Sequence, residues 1–224
     1  MQLFPALRIA ILVAACLFAQ GQTPPGKERQ PEVMGMEPRV TPADYPDQAQ
    51  AGAVTVAAEF QGHSIPTPDG PLTTEEFVVV ETGLYGAPGA RLQLSPGDFT
   101  LRVNEKRILP SLPYGMVIAS VKDPQWQPPE EQEKEKSKSS LSTGGDNGGM
   151  KTGEKEPPFP PKVPIELQRA WAARVHKASL PEGDRALPAA GLIYFEYRGK
   201  TTKMHSLELI YAGPAGKATL TLEP

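Results

Sequence analysis

Four side chains in one short stretch carry the types that acid–base chemistry uses: His63, Asp69, Glu75 and Glu76. An imidazole that titrates near neutrality and carboxylates on neighbouring turns are the ingredients of a general acid and base. A hydrolase or carbohydrate-active protein with its site assembled around loop 61–76 is therefore one reading of the chain. The other histidines, His176 and His205, stand alone, without His-Glu-x-x-His or Cys-clustered spacing, so no metal and no other cofactor is expected. A serine nucleophile needs a base and a group that orients that base. The segment Gly62-His63-Ser64-Ile65-Pro66 places proline where a nucleophile elbow has its second glycine. Gly83-Leu84-Tyr85-Gly86-Ala87-Pro88-Gly89 has spaced glycines, but lacks the helix and Lys-Ser/Thr pair of a phosphate-cradling loop. Glu81 and Glu196 fall on predicted strands and are read as outward carboxylates. Trp126, Trp171, Tyr194, Phe195, Tyr197 and Tyr211 are assigned to core and helix docking ahead of a recognition platform. No residue is assigned as catalytic, and a non-enzymatic protein is the leading expectation.

The elements that must position these residues occupy only part of the chain. Of 224 residues, 26 are Pro and 21 are Gly, about a fifth together, which implies long stretches outside regular structure. Lys and Arg number 23 against 26 Asp and Glu, giving a formal charge of −3. With no block of five or six consecutive Lys or Arg, nucleic acid is excluded as an expected partner. The single cysteine, Cys16, excludes a disulfide within one chain.

Residues 1–21 have the layout of an export signal, with Arg8 ahead of an uninterrupted apolar run over Ile9–Ala19. That run is shorter than the roughly 20 apolar residues a membrane-spanning helix needs, so no transmembrane span is expected in the mature chain. Two processing patterns compete. Ala19-Gln20-Gly21 would free Gln22, giving a periplasmic or secreted protein, whereas Val13-Ala14-Ala15-Cys16 is similar to a lipoprotein box and would anchor Cys16 to a bacterial membrane. Leu17 and Phe18 prolong the apolar run past the cysteine, which favours removal.

Residues 22–52 hold six prolines among polar side chains and are expected to be a disordered tether. Residues 127–164 form a second polar stretch, including Pro157-Pro158-Phe159-Pro160-Pro161, and are expected to be a disordered insertion. Between them, over 53–126, the apolar period is two. Val54, Val56, Ala58 and Phe60 share one face, Phe77–Tyr85 is β-branched enough for a central strand, and Phe99, Leu101 and Val103 alternate with polar residues. Asn104-Glu105 turns the chain, and Tyr114–Val121 is open between strand and helical turn. Leu167, Trp171, Val175 and Ala178 predict a short amphipathic helix over 165–178. The period returns to two over 189–223, where Gly213–Gly216 joins the last two strands as a hairpin.

Seven or eight short strands with turns between them predict an all-β antiparallel sandwich carrying one accessory helix. Neither half buries itself alone, so the strands on both sides of 127–164 share one core. A long insertion is tolerable because closure entropy grows only logarithmically, by roughly 0.6 kcal/mol per doubling of length.

The stretches Phe77-Val-Val-Val-Glu-Thr-Gly-Leu-Tyr, Leu92-Gln-Leu-Ser-Pro-Gly-Asp-Phe-Thr-Leu-Arg-Val, Ala190-Gly-Leu-Ile-Tyr-Phe-Glu-Tyr and Leu207-Glu-Leu-Ile-Tyr together resemble the telokin-like immunoglobulin-fold domains of unknown function in secreted and lipid-anchored bacterial proteins. The resemblance covers about half the chain, and the family's usual asparagine after the first long strand is replaced by Tyr85-Gly86. It implies an immunoglobulin-like sandwich and an exported location, with no catalytic motif to carry over. The expectation is an exported binding or assembly module at the bacterial cell envelope, its partner an unknown protein or envelope polymer.

Overall fold

The computed structural model describes residues 34–126 and 163–224. All fall within one unit, Val33–Pro224. The export-signal reading of 1–21, Cys16, and residues 127–162 of the expected insertion lie outside the described residues.

Strand β1 (Asp47–Ala51) pairs with β2 (Val54–Gly62), which pairs with β5 (Phe77–Tyr85), which in turn pairs with β11 (Ala189–Glu196). On the other side β7 (Phe99–Val103) lies between β8 (Arg107–Leu112) and β12 (Leu207–Gly213), and β13 (Gly216–Leu222) pairs with β12. Every pairing in this eight-stranded sheet is antiparallel, and β8 joins its halves. Pro110 and the residues before it pair with β7, while Ser111 and Leu112 pair with Phe195 and Tyr194. A strand that switches partners in this way folds one sheet over on itself, producing the antiparallel sandwich predicted from the alternation. At the open seam the β1–β2 and β12–β13 turns meet, since a Cβ on Gly52 would overlap the carbonyl of Ala215.

The inward faces are those the period-two pattern selects. Val54, Val56 and Ala58 of β2 pack with Phe99, Leu101 and Val103, with Ile193 and Phe195, and with Leu207, Leu209 and Tyr211. A two-stranded ribbon closes this core. Its strands are β6 (Arg91–Leu94), contributing Leu92 and Leu94, and β10 (Gly183–Ala186), which the alternation did not suggest. Asn104 and Glu105 both have positive φ, 52° and 62°, and Lys106 N–H donates to Val103 O, the turn that suits the twist of a β7–β8 hairpin.

A second apolar layer covers the outer side of β5 and β11. Its helix α2 (Ile165–Ala178) has the predicted bounds and buries Trp171, Val175 and Ala178 against Phe77, Val79, Leu192 and Tyr194. A small sheet of β3 (Ser64–Ile65), β4 (Leu72–Thr74) and β9 (Val121–Lys122) completes the layer. The ambiguous Tyr114–Val121 stretch is one helical turn, α1 (Tyr114–Val117), then a 3-10 turn leading into β9. After α2 the chain runs directly over β11, where Leu180 N–H donates to Leu192 O. That approach requires Gly191, because any Cβ there would overlap the backbone of Leu180.

The expected tether 22–52 is corrected over its described part. Residues 34–46 form a strap across the sheet, and 47–51 are β1. Gly35 N–H donates to Lys177 O, Met36 N–H donates to Ala190 O, and Tyr45 is buried. The prolines misled because they fix φ without forbidding an ordered extended path. Val163, counted with the insertion, packs against the outer layer.

Candidate functional site

A cleft of about 600 Å³ opens where the end of β2, the β4–β5 corner and the loop after β11 meet. Gly62, with φ of 60°, ends β2 after a bulge and swings His63 out of the strand. The ring is then held between two carbonyl oxygens, with Nδ1 2.7 Å from Phe77 O and Nε2 3.0 Å from Gly199 O. Thr74 is buried because its hydroxyl is satisfied by Ser120 Oγ at 2.7 Å. The next residue, Glu75, projects into solvent and meets Lys122 Nζ at 2.8 Å. That hydrogen bond and the ammonium charge hold its carboxyl below the usual carboxylate range. Glu76 lies 3.4 Å from Arg198, which also approaches Glu196 at 3.5 Å. Thr73, Thr201, Thr202, Arg198 and Lys200 complete the lining.

The four residues singled out in the sequence are therefore only partly assembled. His63 and Glu75 share the cleft, and Glu76 reaches its rim through Arg198. Asp69 is elsewhere. Its main-chain oxygen and that of Gly70 receive the guanidinium of Arg174 at 3.1 and 2.6 Å, and its side chain belongs to an exposed turn. His176 stacks on Tyr114 with ring centroids 4.5 Å apart. His205 N–H is held by Asn104 Oδ1 at 2.7 Å. Among the described residues no group of three His, Cys, Asp or Glu side chains converges as a metal site.

A second polar constellation escaped the sequence reading. Glu59 and Glu81 stand directly opposite each other on β2 and β5, an unfavourable juxtaposition of like charges in a sheet. The strap's Arg39 bridges them, bonding Glu59 and lying 3.0 and 3.1 Å from the two oxygens of Glu81, while its guanidinium sits 4.1 Å above the Tyr45 ring. Burial opposes the charge on Arg39, but the two carboxylates outweigh it and raise its pKa above the usual arginine value. Burial, with the nearby Glu81, pushes the Tyr45 phenol up. Glu81 is thus not an outward carboxylate, its side chain being only 8% exposed. The available sign was the flat spot beside it. Ala57 pairs with Gly83 in register, and Tyr45 lies over Gly83 where no Cβ would fit.

An apolar cleft of about 620 Å³ lies between the strap at Gly35–Pro38, the turn at Pro66–Pro68, and Lys177 at the end of α2. The aromatics assigned to packing do pack. Trp171, Tyr194, Phe195, Tyr197 and Tyr211 are buried, and Trp126 meets Trp171 edge-on at 6.2 Å. No helix of the described residues is long and apolar enough to cross a membrane. Comparison with known proteins finds no matching family model, no matching curated protein and no matching solved structure.

Proposed function

We propose that the chain is a non-enzymatic, immunoglobulin-like module exported to the bacterial cell envelope, where it binds or assembles with a protein or an envelope polymer. The observation that carries this reading is the engagement of the two acid–base side chains that line the cleft. Glu75 is paired with Lys122, and His63 is held between two carbonyl oxygens. A general base needs a proton acceptor free to face substrate; what faces the cleft instead is a set of hydroxyls and cations, an arrangement for holding a ligand. The export-signal layout and the resemblance to telokin-like domains supply the compartment. Free release at Gln22 is the preferred maturation, and lipid attachment at Cys16 its alternative.

The test is co-sedimentation of the protein beginning at Gln22 with isolated envelope polymer, followed by analysis of the supernatant for released fragments. Binding without release supports the module. Fragment release that disappears in His63→Ala would replace it with the envelope hydrolase built around loop 61–76. The mature mass, measured in membrane and soluble fractions, separates a chain starting at Gln22 from one lipidated at Cys16.

A further inference from the structure

The cleft beside His63 has a lining that specifies a ligand chemistry, and this step rests on the binding reading above. Among the residues that line it none has an aliphatic side chain, and its one ring, His63, has both nitrogens held by carbonyl oxygens, so an acyl chain would find no apolar wall to lie against. Its volume lies within the range of small-molecule sites and far exceeds that of a bare phosphate or sulfate. Thr201 and Thr202 offer hydroxyls that both donate and accept, and Thr73, whose hydroxyl donates to Lys122 O, can still accept, suiting a ligand that is itself hydroxylated. The acid in the lining, Glu75, is neutralised by Lys122. Lys200 makes no ion pair among the described residues, and Arg198 is held only by long, exposed contacts at 3.4 and 3.5 Å that leave it free to re-aim.

We infer that the cleft binds one acidic sugar unit, a hydroxylated ring bearing a carboxylate, with Lys200 and Arg198 on the anion and the threonines on the ring hydroxyls. Such a unit can arrive free or as part of an envelope polymer, and the chemistry is shared.

The test is calorimetric titration of the chain beginning at Gln22 with a galacturonic acid trisaccharide, the neutral galactose trisaccharide, and insoluble envelope polymer. The acidic trisaccharide binds, the neutral one does not, and added salt weakens the interaction. Lys200→Ala weakens it about tenfold, the loss expected when one charge-assisted hydrogen bond is removed. Lys203→Ala, an exposed charge on the same turn outside the cleft, leaves it unchanged. Equal binding of the neutral sugar, or an undiminished Lys200→Ala, overturns the assignment. If polymer binding survives intact in Lys200→Ala, the binding module stands and this cleft is not its site. If polymer and trisaccharide both fail to bind, both conclusions fall.

Discussion

One face of β5 is covered in two different ways. Toward its start, Phe77 and Val79 lie under α2, where Trp171, Val175 and Ala178 spread the contact over many apolar atoms. Toward its end, Glu81 and Gly83 lie under the strap, where one guanidinium between two carboxylates and one tyrosine ring over a glycine make the contact. Apolar cover loses its contribution in proportion to the area exposed, whereas ionic cover fails all at once when its single cation is removed. The strand is buried along nearly its whole length by two mechanisms of unlike tolerance.

Breaking the helix side gives the largest expected effect. Trp171→Ala removes a large buried side chain and should cost about 4 kcal/mol in chemical denaturation. Arg39→Ala should cost about 3 kcal/mol, because it strands the buried Glu81 carboxylate without a cation. The contrast sharpens in the double variant. Arg39→Met with Glu81→Leu should recover most of that loss, since the one carboxylate left, Glu59, is a third exposed and can reach water, whereas no second substitution in the strap rescues Trp171→Ala. If the double variant is as unstable as Arg39→Ala, the ionic account of the strap is wrong. Gly191→Ala, beneath the backbone that links α2 to the sheet, should cost about 2 kcal/mol through overpacking, because the Ser179–Leu180 backbone must shift away from β11.

The smallest effect probes a carboxylate that loses water without gaining a cation. Burial raises the pKa of Asp98 above its ordinary value. Its ionised form is therefore disfavoured in the fold, and stability falls as pH rises through the folded-state pKa. Asp98→Asn should unfold at slightly higher denaturant than the parent at pH 7. The difference should vanish below the ordinary value of 3.8, where Asp98 is neutral both folded and unfolded.

Periodicity made one of the two covers legible. Leu167, Trp171, Val175 and Ala178 fall on one helical stripe, and the helix forms with the predicted bounds. The alternation in Val54–Phe60, Phe99–Val103 and Leu207–Tyr211 assigned the inward faces correctly because each side chain meets the same core. The strap has no period. Its order comes from Arg39, Tyr45 and a few backbone hydrogen bonds to distant elements, and its prolines look the same in a tether. The cleft was half legible for a related reason. His63 and Glu75 are close in sequence, but Arg198, Lys200 and Thr201 arrive from a loop more than 120 residues later, through a pairing of β5 with β11 that no local pattern announces.

The packing around Trp171 has a consequence beyond the helix. Trp126, the last described residue before the insertion, stacks edge-on against the Trp171 ring, and Val163, the first after it, lines a small cavity together with Trp171. The chain on either side of residues 127–162 is thus set against the same outer layer, so removing the Trp171 ring would loosen both places together with the helix.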